Sequence, residues 1–206
     1  MRRAIKAAMA ALSLGLLAGL LALSVLAVAL DAPLMAEQFR RFSVHSGLED
    51  AAFAPVAEEV VAFLDGRIDT LPTFNARENA HMADVQLIFR WVKAVCALAL
   101  PCAVGLWLGR RRGSLRVYWI TVAAVAAVAA GIALWAAVDF DSLFIAFHHL
   151  LFTNDLWLLD PRTDLMIRLM PTGFFVDYAV RIGVLFGALA VVSAGAAALY
   201  QRRCKQ

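Results

Sequence analysis

Charged residues are scarce in this sequence, and acidic side chains are missing from three of its segments. Only 17% of the 206 residues are charged, whereas 63% are hydrophobic. All 16 acidic residues lie between Asp31 and Asp84 or between Asp139 and Asp177. A soluble domain of this size would not need so much apolar surface, so the composition indicates a membrane protein. The net charge of +3 then reflects which segments face the cytoplasm, and we expect no nucleic-acid partner.

Cysteine is also scarce, which excludes a disulfide-stabilised fold. The three cysteines are Cys96, Cys102 and Cys204, and none lies in the two acidic segments. Without cysteines there, neither a disulfide framework nor a cysteine metal site is expected. The sequence also lacks a Gly-x-Ser-x-Gly motif and a P-loop. We therefore expect no metal and no cofactor, and any catalysis should rest on acid–base chemistry and positioning.

Long uncharged runs are what the sequence has in abundance. Residues 9–30, 117–138 and 182–200 contain no charged side chain and are long enough to cross a membrane. A fourth run at 94–108 is too short alone, but a span over 85–108 is possible if Arg90 and Lys93 extend to the interface. The sequence thus predicts an all-α membrane protein, a four-transmembrane-helix bundle with an extracytoplasmic cap of short or re-entrant elements.

In this prediction the whole chain is a single membrane domain. Its spans are at about 9–30, 85–108, 117–138 and 178–200, and its outer loops are 31–84 and 139–177. The first run follows a basic N-terminus, so a cleaved signal peptide is the alternative to an uncleaved anchor. The anchor is preferred because the run is longer than the apolar part of a signal peptide. Cleavage would also leave an odd number of spans.

The distribution of basic residues predicts the orientation of the spans. The segments without acidic residues carry all of these basic ones: Arg2, Arg3, Lys6, Arg110, Arg111, Arg112, Arg116, Arg202, Arg203 and Lys205. Lysine and arginine near span ends favour the cytoplasmic side. We therefore expect a multi-pass membrane protein with both termini in the cytoplasm.

The two outer loops have local patterns of their own. Residues 34–44 and 56–64 have helical spacing, and Gly66 follows the second of them where a left-handed helix cap is expected. Residues 143–152 are almost wholly apolar around His148 and His149. An outer segment this apolar should lie in the membrane interface or re-enter the membrane where it lines a protein cavity.

All four histidines lie in the predicted outer region: His45, His81, His148 and His149. Histidine can take and give a proton near neutral pH. Asp84 follows His81 by three residues, on the same helical face, where it could orient the imidazole. His81 and His148 could converge from different loops and form an acid–base pair. The alternative is that they are only hydrogen-bonded anchors at the interface.

Other polar and aromatic residues also allow both a functional and a purely structural interpretation. Arg90 and Lys93 are candidates for contact with a substrate lipid, although most such residues only anchor a helix. Trp157 fits an interfacial aromatic better than a substrate platform. The spacing of Asp155, Asp160 and Asp164 matches no calcium loop, and the first two are expected to stabilise the turn around Pro161.

Two stretches resemble the signatures of one bacterial membrane family. The first comprises residues 63–66 (FLDG) and 78–85 (ENAHMADV), and the second comprises residues 147–161 (FHHLLFTNDLWLLDP), Asp164 and residues 170–175 (MPTGFF). The family is that of the lipoprotein intramolecular transacylase, Lit. The resemblance covers the four-span layout and is carried by the two outer loops.

The resemblance implies an acyltransferase reaction. In that family the sn-2 acyl chain of a diacylglyceryl lipoprotein moves to the amine of its N-terminal cysteine, giving the lyso form. The family's two histidines correspond to His81 and His148, with His149 as a substitute. Supporting residues would be Asp84, Asn154, Asp155, Trp157 and Asp160, and the partners would be membrane lipid and the lipoprotein. A non-catalytic membrane scaffold of the same fold is the alternative, and a transporter ranks lower because the spans have few polar residues.

Overall fold

A computed structural model describes residues 2–43, 46–109 and 115–203. His45, Cys204 and the arginines at 110–112 lie outside these ranges. Within them the chain forms nine α-helices and no strand. The helices are α1 (Arg2–Ala29), α2 (Ala32–Phe42), α3 (Asp50–Asp65), α4 (Ala76–Ala97), α5 (Ala99–Gly109), α6 (Leu115–Val138), α7 (Phe140–Leu151), α8 (Leu165–Leu169) and α9 (Thr172–Arg203).

Four helical stretches are long and apolar enough to cross a membrane: Arg3–Ala29, Ala76–Gly109, Leu115–Val138 and Thr172–Arg202. They coincide with the four predicted spans, which confirms the all-α membrane class. The first, second and fourth stretches begin several residues before the predicted spans, because helix also forms over the polar residues that precede the apolar runs.

The described residues group into two compact units. The first, here called the span unit, contains Met1–Val25, Val92–Leu134 and Ile182–Gln206. The second, here called the cap unit, contains Leu26–Trp91 and Trp135–Arg181. The single domain predicted for residues 1–206 stays a prediction.

Within the span unit, α1 approaches α5 through small residues. A Cβ added at Gly19 would lie 2.6 Å from the Cβ of Ala99 and 2.9 Å from its backbone. A Cβ at Gly15 would lie 2.6 Å from Sγ of Cys102. Small side chains let helix backbones come close in a membrane, where packing must replace the hydrophobic effect. Both glycines therefore define how closely these two helices pack.

Pro101 explains why the second span is two helices. Proline has no N–H, and its ring clashes with the carbonyl four residues earlier, here that of Ala97. Helix α4 ends at Ala97 and α5 begins at Ala99, with a turn at Leu98. The backbone bond from Cys102 N–H to the Leu98 carbonyl, 3.1 Å long, follows the break.

The first outer loop forms two helices of the cap unit. Asp31 caps α2 by accepting a hydrogen bond from Leu34 N–H at 3.0 Å. Helix α3 ends at Gly66, whose φ of 79° is left-handed, as the sequence predicts. Phe39 is fully buried and packs against the rings of Phe53 and Phe174. The loop is thus a folded apolar core and not a linker.

The second outer loop forms two short helices, α7 and α8, before the last span. Asp139 caps α7 by accepting from Ser142 N–H at 3.0 Å, and α7 ends at Leu151. Residues 152–164 are irregular and lead into the five-residue helix α8. These are the short elements predicted for the cap, and they carry His148 on the buried side of α7.

Candidate functional site

His81 and His148 come together in the cap unit, as the sequence predicts. Their ring centroids are 6.3 Å apart, with the ring planes 30° from parallel. His81 lies in the second turn of α4, and His148 lies in the last turn of α7. Only 7% and 8% of their surfaces are exposed. Two separate loops therefore deliver one pair of proton-transfer groups to a site with little water.

The local structure of α7 fixes the tautomer of His148. Its Nδ1 lies 2.7 Å from the carbonyl oxygen of Phe144. A carbonyl can only accept, so Nδ1 carries a hydrogen and donates it. In the neutral ring the lone pair is then on Nε2. Burial lowers the pKa of His148 below its ordinary value, and this effect outweighs the opposing hydrogen bond to Phe144. The ring is thus kept in the form that can accept a proton.

Aromatic rings surround the histidine pair. Phe144 is 4.0 Å and Trp157 is 4.9 Å from the His148 ring, measured between centroids. Phe152 touches both histidines, at 5.1 Å from His81 and 5.5 Å from His148. These rings explain the burial of the imidazoles. The sequence favours Trp157 as an interfacial aromatic, but its ring also forms part of the wall of the site.

The predicted hydrogen bond between Asp84 and His81 is not formed. Asp84 instead accepts from the side-chain N–H of Asn154, with 2.9 Å between Oδ2 and Nδ2. Nδ1 of His81 is buried without a hydrogen-bond partner among the described residues. The i, i+3 spacing puts Asp84 on the same face of α4 as His81. The carboxylate nevertheless bonds to Asn154, which comes from the second outer loop. A direct bond is thus absent, and an orienting role of Asp84 through one water stays a prediction.

A buried carboxylate, Glu78, joins the two loops below the site. Its Oε1 accepts from Met166 N–H at 2.5 Å, and its Oε2 accepts from Asn75 N–H at 2.7 Å. Asn75 in turn accepts from Glu78 N–H at 3.0 Å, which makes a capping box at the start of α4. Glu78 is 1% exposed. It positions the helix that carries His81 against the loop that follows His148.

The turn after Trp157 is held by aspartates. Asp160 accepts from Arg162 N–H at 2.9 Å, which confirms its predicted role in the turn at Pro161, and the arginine holds the pKa of Asp160 at about 2. Asp164 accepts from Asp160 N–H at 2.8 Å and from the Asn75 side chain at 2.9 Å. The backbone carbonyl of Asp155 accepts a hydrogen bond from the Arg77 side chain at 2.8 Å. Among the described residues, its carboxylate makes no bond that would stabilise the turn.

The remaining predicted residues are His149, Arg90 and Lys93. The ring of His149 contacts Trp157 at 5.2 Å, but this residue is exposed, unlike the two buried histidines. Arg90 donates to Oε1 of Gln86 at 2.9 Å. Lys93 lies three residues further along α4 and is half-buried. Contact of Arg90 and Lys93 with lipid stays a prediction.

Several residues of the site were not assigned a role from the sequence. Phe144, Phe152, Asn75 and Glu78 are the main ones. The Asn75-x-x-Glu78 spacing is a capping-box signal, and it would have placed the start of α4 at residue 76. Nothing in the sequence indicates that Phe152 bridges both histidines, since that contact depends on how the loop folds. Within the described ranges, no group of three histidine, cysteine, aspartate or glutamate side chains could hold a metal.

A buried histidine pair in a multi-span helical protein is a candidate site for acid–base chemistry at a membrane. The family model described as "Lipoprotein intramolecular transacylase Lit" matches residues 10–175. The chain therefore belongs to the Lit family. Among curated proteins, none matches the chain in sequence.

Solved structures agree with this assignment at the level of fold. The in meso structure of Lit from Bacillus cereus superposes with a TM-score of 0.81 at 21% identity, covering 100% of this chain and 99% of that one. Two variants of that protein, each with one histidine replaced, also match. The variant with arginine has a TM-score of 0.75 at 23% identity, covering 100% of this chain and 95% of that one. The variant with alanine has a TM-score of 0.74 at 21% identity, covering 100% of this chain and 96% of that one.

Proposed function

We propose that this protein is a lipoprotein intramolecular transacylase that uses His81 and His148 as its acid–base pair. It moves the sn-2 acyl chain of a diacylglyceryl lipoprotein to the α-amine of the N-terminal cysteine. The observation that carries the proposal is the 6.3 Å pairing of two buried histidines in a chain of the Lit family. No observation favours a non-catalytic scaffold.

His148 is the proton acceptor in this proposal. Its Nδ1–H bond to Phe144 leaves Nε2 free, and burial keeps the ring neutral. A neutral Nε2 can take a proton from the substrate ammonium and release a nucleophilic amine. His81 faces it across the site and assists the departing glycerol oxygen, either by giving it a proton or by stabilising the developing charge.

The reaction balances without any other reactant. The amine nitrogen bonds to the ester carbonyl carbon, and the bond between that carbon and the glycerol oxygen breaks. The nitrogen loses two protons, of which one ends on the glycerol oxygen and one leaves to solvent. Ester and amine belong to one molecule, so holding them about 3 Å apart provides much of the rate enhancement.

The orientation of the chain completes the proposal. With both termini in the cytoplasm, the cap unit lies on the outer side of the bacterial inner membrane, where the acyl chains of the substrate also remain. The segregation of basic and acidic residues supports this orientation. In a cysteine-free version, Asp50→Cys should react with a membrane-impermeant thiol reagent in intact cells and Arg111→Cys should not. Labelling of the second site would contradict it.

Activity is tested by expressing the protein in a bacterium that makes diacylglyceryl lipoproteins and lacks other N-acylation. The isomerisation leaves the total mass unchanged, so fragment ions of the N-terminal lipopeptide are needed. We expect one acyl group on the cysteine nitrogen and one on the glycerol. A lipopeptide that remains diacylglyceryl, with well-expressed protein, would refute the proposal. An acylated amine with both glycerol chains retained would refute the intramolecular step.

A further inference from the structure

An open cavity of about 250 Å³ in the cap unit lies next to the histidine pair. One part of its wall is polar, made by Asp84, Thr153 and Asn154, and another part is apolar, made by Leu87, Ile88 and Trp91. Phe152, which contacts both imidazoles, also lines it. The cavity can therefore hold a group that is charged at one point and apolar around it.

Asp84 is the acidic group of this cavity. The carboxylate is half-buried, and no cationic side chain of the described residues pairs with it. Its Oδ2 accepts from Asn154, and among those residues its Oδ1 has no hydrogen-bond partner. Oδ1 is therefore available as an acceptor at the cavity wall, and a carboxylate accepts its strongest hydrogen bonds from a cationic donor, so this arrangement favours a cationic ligand.

We propose that this cavity binds the α-ammonium of the N-terminal cysteine of the lipidated substrate, with Asp84 as the ion-pair acceptor. The identity of the substrate rests on the proposed function. Asp84 follows His81 by one helical turn, on the same face of α4. An ammonium held there lies beside the groups that must remove its proton. Asp84 thus selects a substrate with a free amine and does not itself take part in proton transfer.

The test separates recognition of the ammonium from chemistry. The probe is a synthetic lipopeptide whose two glycerol esters are replaced by ethers, so that no acyl group can move. It is compared with the same probe carrying an N-acetyl group, and binding of both to the purified protein in lipid nanodiscs is measured. We expect the wild-type protein to bind the free-amine probe about 10-fold or more tightly than the N-acetyl probe, because only the free amine can form a hydrogen bond between charged groups.

Four variants separate the charge of Asp84 from its structural role. Asp84→Asn should abolish the preference for the free amine, and Asp84→Glu should retain part of it. Asn154→Ala removes the same hydrogen bond to the loop but keeps the carboxylate, so it should retain the preference. Glu37→Gln changes an exposed acidic residue of α2 and controls for net charge. In the transacylation assay, Asp84→Asn should raise KM far more than it lowers kcat.

The possible outcomes distinguish this inference from the proposed function. If Asp84→Asn keeps the preference for the free amine, the inference is overturned whatever the activity. If Asp84→Asn and Asn154→Ala lose it equally, Asp84 only holds the loop and the inference is again overturned. If the wild-type protein shows the Asp84-dependent preference but never transfers an acyl chain, the ammonium site stands and the transacylase proposal fails.

Discussion

The two units of this molecule are stabilised by different interactions. In the cap unit, α3 buries seven apolar residues, and backbone, carboxylate and amide groups join distant segments. In the span unit, the most apolar stretch of α6 has none of its residues buried, and that of α9 has none either. Such surfaces suit contact with lipid tails, which are as apolar as the side chains themselves.

This difference assigns separate tasks to the two units. The cap unit has the packing and polar bonding of a water-soluble domain, which can hold imidazole rings in one geometry. The span unit shows close helix approach at glycines instead. The chemistry therefore depends on residues of the cap unit, whereas substitutions on lipid-facing surfaces of the span unit should be tolerated. Four predictions follow this contrast.

His148→Ala should have the largest effect, on activity. Losing the proton acceptor should lower the rate by about 10²–10⁴-fold. His149→Ala is the matched control, because its exposed ring lies outside the buried pair and should leave most activity. The lipopeptide assay measures both, with membrane insertion checked in parallel. Equal losses in the two variants would mean that the wrong histidine has been assigned.

Phe39→Ala should strongly destabilise the cap unit. Phe39 is fully buried between two other phenylalanines, and truncating such a ring commonly costs about 3–5 kcal/mol. Val184→Ala, on a residue 69% exposed in the span unit, should change the free energy of unfolding by less than about 0.5 kcal/mol. Heat unfolding in detergent, followed by circular dichroism, compares them. A similar loss in both would contradict the contrast between the units.

Gly19→Ala should weaken the contact between α1 and α5. The added methyl group would lie 2.6 Å from the Ala99 Cβ, and backbone atoms at 2.9 Å cannot move aside easily. Overpacking of this kind costs about 1–3 kcal/mol. Gly131→Ala, which meets open space on α6, is the control and should cost nothing. If the two variants melt at the same temperature, this packing contact is not a determinant of the span unit.

The smallest effect should be a shift in pH dependence. His148 acts as a base when it is neutral, and burial lowers its pKa. Activity should thus persist below the ordinary histidine value of about 6.5 and fall only as the pH drops through the lowered pKa. Phe144→Ala exposes the ring, keeps the backbone carbonyl, and should move the acid limb of kcat/KM to higher pH. An unchanged limb would show that burial by Phe144 does not set this pKa.

Local patterns predicted much of the fold. The uncharged runs indicated all four spans, and the left-handed cap at Gly66 was readable because only glycine takes that conformation without strain. The break at Leu98 follows from Pro101, but it was missed because the run around it is uniformly apolar. The early start of α4 was missed because Arg77 and Glu78 resemble loop residues unless the capping box is recognised.

The site was only partly predictable, for a different reason. The two histidine motifs indicated which rings would meet, but the partners of Asp84 and Glu78 lie 70 and 88 residues away in the chain. Spacing along a helix shows which face a side chain occupies and not what approaches that face. The bond from Asn154 to Asp84 therefore could not be derived from the sequence around either residue.

The long separation between these partners also determines when the protein can become active during synthesis. The cap unit is built from Leu26–Trp91 and Trp135–Arg181, so the ribosome must finish the intervening stretch before the second piece exists. One oxygen of the Glu78 carboxylate can accept from Asn75 early in synthesis, but the other gains its partner, the N–H of Met166, only after that residue has been made. The histidine pair likewise needs both pieces, so most of the chain must be translated before the site can assemble.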